Sequence, residues 1–486
     1  MSKSIAKNVV YKVLLNIFNI IVPIVIGAYA LRIMGPDLIG RINFSESIYS
    51  YFMIFAGFGI NTYGLRELSR IRDDKEKVNQ LFTNLFLIGL ITNIIILLVY
   101  FAFVNYSYIG TLRYPVLLIY GLNISFNIFY VEWANEALER YDFITIKTII
   151  IRIIYIVLLF TFIKSDKDFI KYVLLTSLTM FLNYIVSFAY IKKDIKFNFK
   201  DINLKKHIRF LLVIIIMSNA NILYTSLDRI MLGRYLGDEY VAFYGVSQSI
   251  MIIINTLLLS IVYVTIPRLS NVIANESEEN YESLLNKICK NYFAFLFPAV
   301  VGMFVLAEEI VLLYAKSKFI PAIPVVRVFA IYMITAGMDS ILINQVIYVK
   351  RKEKNIIGVI AGFGVLNLIL NYALVYANCF TPVTAITTTL IANALLVATE
   401  YWYAKKRLKV KMSMFSMDKI KYFIIALVFV PITITIKKLV SSVILVALLG
   451  VSINSIVYFL ILLIIKDEVL YGFLYKFKII KENRLK

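Results

Sequence analysis

The sequence predicts an all-α polytopic membrane protein of about fourteen transmembrane helices: two six-helix lobes in parallel repeat, followed by two C-terminal helices. Three observations predict it. Apolar residues fill 60% of the 486 positions and the mean hydropathy is +0.81, whereas soluble domains hold roughly 45–50% apolar residues. Apolar stretches of about 18 residues or more recur along the whole chain, each long enough to cross a hydrocarbon core ~30 Å thick as a helix. One polar stretch is also written twice without a gap, R-I-M-G-P-D-L-I-G-R-I-N-F-S-E-S-I at 32–48 and R-Y-L-G-D-E-Y-V-A-F-Y-G-V-S-Q-S-I at 234–250.

The spans fall at roughly 9–31, 43–64, 80–104, 114–135, 143–163, 169–191, 210–233, 241–266, 291–313, 322–348, 356–378, 382–403, 420–436 and 441–465. Lys3 and Lys7 precede a run that ends in Ala28-Tyr29-Ala30. That run is too long for a cleaved signal core, so it reads as an uncleaved first helix. Gly35-Pro36-Asp37 and Gly237-Asp238-Glu239 are turn signals between helices. In the repeat Arg32 matches Arg234, Ser45 and Ser47 match Ser247 and Ser249, and Gly40 faces Ala242. The first copy joins spans one and two, the second joins spans seven and eight. The offset of six spans is even, so both copies point the same way across the bilayer, an arrangement found in transporters. The expected division is therefore 1–200 for the N-lobe, 201–412 for the C-lobe, and 413–486 for the last two helices and a basic tail. Within 268–290, N-E-S-E-E-N-Y-E reads as an acidic surface segment forming a short helix on the cytoplasmic face.

The formal charge of +21 would suit a nucleic-acid binder, but its placement argues otherwise. With the N-terminus cytoplasmic, the basic residues crowd into the inner segments: Arg66 to Lys77, Lys192 to Lys206, Lys350 to Lys354, Lys405 to Lys411 and the tail. This is the positive-inside pattern of a membrane protein with both termini cytoplasmic. Cys289 and Cys379 fall on opposite sides and do not pair, and His207 reads as a solvated loop residue. No metal-ligand spacing occurs, and no G-x-x-x-x-G-K-[ST] segment signals direct ATP use. The outer loops are too short for a catalytic domain, which points away from an enzyme.

The informative residues are polar groups where lipid should be. An ionised side chain at a helix centre costs about 2.5–3.5 kcal/mol on insertion scales and faces a cavity or a partner. Span one carries Lys12, Asn16, Asn19 and Pro23 on one helical face. Span two carries Asn43, Glu46, Ser47 and Ser50; span four Asn123, Asn127, Glu132 and Asn135; span five Lys147 and, near its middle, Arg152. The second half is drier, with Asn219, Asn221, Asp228 and Arg229, then Gln248 and Asn255, Arg327 and Asp339, and Asn367 and Asn371. Asp228 and Arg229 read as a local pair, Glu308 and Glu309 as interfacial. Two readings stand for Glu46, Glu132 and Arg152. One is a polar network locking helices together. The other is a working set, with the cation gripping an anionic head group and a carboxylate carrying a proton or Na⁺; arginine suits the grip because its planar fork matches phosphate. The candidate substrate-binding residues are Lys12, Asn16, Asn19, Arg32, Asn127, Lys147, Arg152, Asp228 and Arg234. The candidate ion-coupling residues are Glu46, Glu132 and Asp339.

The order of these pieces resembles a known family. N-x-x-Y-K at 8–12, then Pro23, L-R-I-M-G-P-D-L-I-G-R-I-N-F-S-E-S-I-Y-S-Y-F, and F-G-I-N-T-Y-G-L-R-E-L-S-R-I-R-D-D-K ending at Lys75 are similar to the N-terminal signature of polysaccharide flippases. These are the Wzx-like members of the multidrug/oligosaccharidyl-lipid/polysaccharide exporter superfamily. D-R-I-M-L-G-R-Y-L-G-D at 228–238, I-P-R-L-S at 266–270 and G-V-L-N-L-I-L-N at 364–371 extend the resemblance over most of the chain. It implies two six-helix lobes around a central cavity in a bacterial plasma membrane, and transfer of undecaprenyl-diphosphate-linked oligosaccharide between leaflets by alternating access. It further implies an H⁺ or Na⁺ gradient, membrane lipids, and a polysaccharide polymerase as a partner, with no cofactor. Arg32 sits in the first-helix signature and Asp228 in the seventh. T-P-V-T-A at 381–385 departs from the Gly-Ala pair of many relatives. The nearest alternatives are a lipid II flippase and a drug/cation antiporter; the latter favours an acidic cavity over one with Lys147 and Arg152. A membrane polysaccharide polymerase would need a large external loop.

Overall fold

Helices carry the chain, and no strand occurs among the described residues, which in this computed structural model are 18, 22–200 and 202–476. Lys12, Asn16 and Asn19 lie outside them, as do the side chains of Asn219 and Asn221. The chain divides into two units, Met1–Ala242 and Phe243–Lys486. The first contains α1 (Val22–Ile33), α2 (Pro36–Gly57), α3 (Ile60–Ile71), α4 (Lys75–Tyr108), α5 (Tyr114–Phe126), α6 (Glu132–Ala137), α7 (Tyr141–Phe162), α8 (Phe169–Ile191), α9 (Leu204–Tyr235) and the first residues of α10 (Asp238–Asn275). The second continues through α11 (Glu278–Val305), α12 (Ala307–Ala315), α13 (Ile323–Ile341), α14 (Ile357–Tyr376), α15 (Pro382–Trp402), α16 (Met417–Ala426), α17 (Phe429–Leu439), α18 (Val443–Ile464) and α19 (Glu468–Lys476). Eleven helical segments among the described residues are long and apolar enough to cross a membrane. The shorter α1 and the more polar α2 and α9 bring the total to about fourteen, so the protein is an all-α polytopic membrane protein.

Several spans are not single rods. The second span is not one helix over 43–64: α2 stops at Gly57, and Phe58 and Gly59 take the left-handed region at φ 48° and 70° before α3 begins. Glycine adopts that conformation without steric cost, which lets the chain redirect there. The fourth span breaks as well. A 3₁₀ turn at Asn127–Phe129 and non-helical Tyr130 and Val131 separate α5 from α6. Span nine breaks at Leu306, and span thirteen between α16 and α17. The acidic stretch within 268–290 is not a separate surface helix. It is the end of α10 and the start of α11, where Ser277 caps by accepting from the Asn280 N–H at 3.2 Å.

At the Lys/Arg-rich end of the first unit, Leu68, Phe82, Trp133 and Leu211 are almost fully buried and form the centre of an apolar cluster. Elsewhere amides and hydroxyls join helices. Asn127 Nδ2 donates to Asn93 Oδ1 at 3.0 Å, and Asn93 Nδ2 donates to the Ala56 carbonyl at 3.1 Å. In the second unit Asn367 donates to Thr389 at 3.2 Å, Thr388 donates to Asn371 at 2.5 Å, and Asn454 donates to Thr433 at 3.0 Å. Lipid offers no competing partner, and such bonds contribute roughly 0.6–2 kcal/mol each in membranes. His207 is not a solvated loop residue: it lies in the first turn of α9, 8% exposed, with Nδ1 2.9 Å from the Tyr63 hydroxyl.

Candidate functional site

The break between α5 and α6 sets Glu132 at the first position of α6, facing α7 and α8. Lys147 Nζ donates to Glu132 Oε1 at 2.9 Å and to Ser187 Oγ at 2.7 Å, and Ser187 Oγ donates to Glu132 Oε2 at 2.5 Å. The Lys147 side chain is 5% exposed and that of Glu132 15%. Each supplies the other's counter-charge, which removes most of the penalty that either would carry alone in the membrane. Asn127, one turn earlier, is committed to Asn93.

Arg152 differs. It lies one turn beyond Lys147 on α7, half-buried, and its buried Nη1 has no hydrogen-bond partner among the described residues. Ile146, Ile150, Ile153, Val157 and Phe160 form the exposed apolar stripe of α7. At 3.6 residues per turn, Arg152 points about 120° around the helix from the centre of that stripe. Its guanidinium is therefore turned away from the face that suits lipid, with donors free for an anion.

The two copies of the repeated stretch meet within the first unit. Arg113, which precedes α5, donates from Nε to Asp238 Oδ1 at 2.7 Å and from Nη2 to the Gly233 carbonyl at 2.6 Å. Arg41 pairs with Asp37 and lies 3.5 Å from Asp238 Oδ2. The Arg113 guanidinium sits 3.8 Å from the centroid of the Phe44 ring. A β-carbon at Gly40 would lie 1.7 Å from the Asp238 carbonyl oxygen. Only glycine permits that approach, which explains why the first copy has glycine where the second has Ala242.

Arg229 reaches across to α2. Its Nη1 lies 3.2 Å from Glu46 Oε2, joining α9 to α2, while Asp228 is fully buried. Glu46 is half-exposed, and Arg32 and Arg234 are exposed.

In the second unit Asp339 of α13 and Glu400 of α15 are neighbours, and both carboxyl oxygens of Glu400 are buried with no hydrogen-bond partner among the described residues. Among the described residues neither has an ion-pair partner. Each lies three residues before a wide π-helical turn, Leu342–Ile347 after α13 and Tyr403–Arg407 after α15. The Tyr348 N–H donates to the Ile343 carbonyl at 2.8 Å and the Leu408 N–H to that of Tyr403 at 3.1 Å, both five residues back. Both wide turns end their helices.

Sequence reasoning missed Glu400, Ser187, Arg113 and the role of Gly40. Glu400 stands five residues before Lys405, Lys406 and Arg407, and nothing in that stretch singles it out. The glycine-to-alanine mismatch in an otherwise polar repeat was the available signal for Gly40.

Comparisons with known proteins add family and fold. The family described as "Polysaccharide biosynthesis protein" matches residues 5–273. A Shigella dysenteriae protein named for O-antigen transport is 22% identical over 377 residues, covering 76% of this chain and 93% of that protein. The solved structure titled "Lipid II flippase MurJ, inward closed conformation" superposes with a TM-score of 0.72 at 14% identity, covering 97% of this chain and all of that one. An inward-facing multidrug-resistance MATE transporter of the MOP superfamily gives a TM-score of 0.61 at 15% identity, covering 81% and 94%. At these identities the structural likenesses show the fold.

Proposed function

The chain belongs to the polysaccharide biosynthesis protein family, and on that premise we propose that it is a flippase carrying undecaprenyl-diphosphate-linked oligosaccharide repeat units from the inner to the outer leaflet. The relatives' names and the fold support a transporter rather than an enzyme. The task is to move a diphosphate and several sugars past ~30 Å of hydrocarbon. Arg152 carries the proposal: a guanidinium inside a membrane-crossing helix, turned from the apolar face, with an unmet donor. Arginine keeps its charge and presents a fork that fits phosphate. Glu132 and Lys147 then hold α6, α7 and α8 in place behind it.

For coupling, we assign the Asp339–Glu400 pair the exchangeable proton or, in its place, a Na⁺ ion. Glu46, bound to Arg229, is a second candidate. The Lys/Arg-rich ends are assigned to the cytoplasm, and alternate exposure to the two sides of the membrane completes the cycle. Deleting the gene should leave lipid-linked repeat units on the cytoplasmic side, and Arg152→Ala should reproduce this with normal membrane insertion. Normal surface polymer in a deletion strain without a redundant flippase would sink the reading. The superposition on a lipid II flippase favours a second reading, in which the diphosphate carries peptidoglycan precursor; accumulation of that precursor would select it.

A further inference from the structure

At the Lys/Arg-rich end of the first unit, α3, the start of α4 and the approach to α9 enclose a cavity of about 470 Å³. Its walls divide by chemistry. Lys77, Lys206 and His207 supply cationic or hydrogen-bonding nitrogens, and Gln80, Asn84 and Asn203 supply amides. Ile71, Leu81 and Ile202 form an apolar side. Glu67 also lines it, but Arg66 at 2.8 Å and Arg70 at 3.7 Å already counter its charge. Lys77 leans on Asp74 at 2.8 Å, while Lys206 has no ion-pair partner among the described residues. His207 is 8% exposed with Nδ1 taken by Tyr63, and no described residue bonds its Nε2. Both α4 and α9 begin here, so two helix N-termini add positive potential to the same space. Close by, Phe199, Ile202 and Phe210 are 60%, 48% and 54% exposed. Large apolar groups at that level suit contact with acyl chains.

We infer that this cavity binds the phosphate head group of an anionic glycerophospholipid drawn from the leaflet beside it. Lys206 and Lys77 take the phosphate, His207 Nε2 takes a glycerol hydroxyl, and the apolar side receives the first carbons of the acyl chains. Basic pockets between helices on the cytoplasmic side of membrane proteins recognise such head groups. The site is separate from Arg152 and does not depend on what the chain transports.

The test uses the delipidated full chain, titrated with phosphatidylglycerol or phosphatidylcholine and read by native mass spectrometry, with glycerol phosphate as a soluble arm. Wild-type protein should bind phosphatidylglycerol about tenfold more tightly than phosphatidylcholine, the scale of one charge-assisted contact. Lys77→Gln with Lys206→Gln should remove that preference, whereas the charge-matched Lys405→Gln with Lys406→Gln should keep it. Ile202→Glu, at a half-exposed position that should not disturb folding, should also remove it by repelling phosphate. Glycerol phosphate should compete only weakly. Equal binding of glycerol phosphate, or an unchanged preference in the Lys77/Lys206 and Ile202 variants, would overturn the assignment.

Discussion

Replacing Gly40 with alanine adds one β-carbon at the tightest contact between the two repeated stretches. That carbon would lie 1.7 Å from the Asp238 carbonyl oxygen, so α2 and the α9–α10 turn must separate by about 2 Å to reach ordinary van der Waals distance. Overpacking of this kind costs about 1–3 kcal/mol. The movement also stretches the Arg113 bonds to Asp238 and Gly233, where a charge-assisted hydrogen bond contributes about 1.5–3 kcal/mol. The two side chains are 16% and 12% exposed, so screening places their share at the low end. Together the closed contact should weaken by about 2–4 kcal/mol, which speeds hydrogen exchange of the amides at 233–241 by about 30- to 700-fold, since 1.4 kcal/mol is tenfold. Gly57→Ala is the control, because nothing lies within 4 Å of a β-carbon there. Exchange within threefold of wild type in Gly40→Ala would refute the reasoning. Transport should slow too if this contact must open and re-form in each cycle.

Lys147→Met strips Glu132 of its counter-charge and should lower stability by about 3 kcal/mol, whereas Lys147→Met combined with Glu132→Gln should cost much less than the two single changes added; additive losses in thermal unfolding would deny the coupling. Burial first, then Lys206, holds the His207 imidazole below its usual 6.5, with Glu67 opposing. Because the folded state resists protonation, the stability tied to this group is intact above about pH 6.5 and drains away as the medium acidifies through the depressed value. The melting temperature should therefore fall between pH 7 and pH 5, less steeply in His207→Gln, with Tyr63, Glu67, Lys77 and Lys206 facing the ring; identical pH profiles would disprove this. Asp339→Asn and Glu400→Gln should each abolish the dependence of transport on the pH or Na⁺ gradient, and two variants with unaltered dependence would remove the pair from the mechanism.

The helical class and the span count were legible because lipid imposes one demand, length of apolar run, that is local in sequence. The repeat was legible as text, but not its consequence. That Gly40 touches Asp238 is a relation between segments some two hundred residues apart, and nothing local announces it. Depth in the membrane singled out Glu132, Lys147 and Arg152 as residues needing a partner or a task. It did not separate them, because Lys147 finds its counter-ion across a helix break while Arg152, five residues later, finds none among the described residues. The breaks at Phe58–Gly59 and Asn127–Val131 were hidden inside runs whose hydropathy continues without pause. Glu400 was lost as well: nothing in its own stretch singles it out until the partner helix is in place.

The wide turns after Asp339 and Glu400 change how any later probing of those helices must be interpreted. Each closes its hydrogen bonds five residues back instead of four and ends its helix, with Tyr348 and Leu408 as the first residues beyond, so a period of 3.6 residues no longer holds within it. A wheel drawn through residues 335–350 on a constant period misplaces the positions within 343–347 and gives a helical face to 348–350, which have left the helix. Reactivity measured cysteine by cysteine along that stretch should depart from the 3.6-residue period from Leu342 onward, and again from Tyr403 onward.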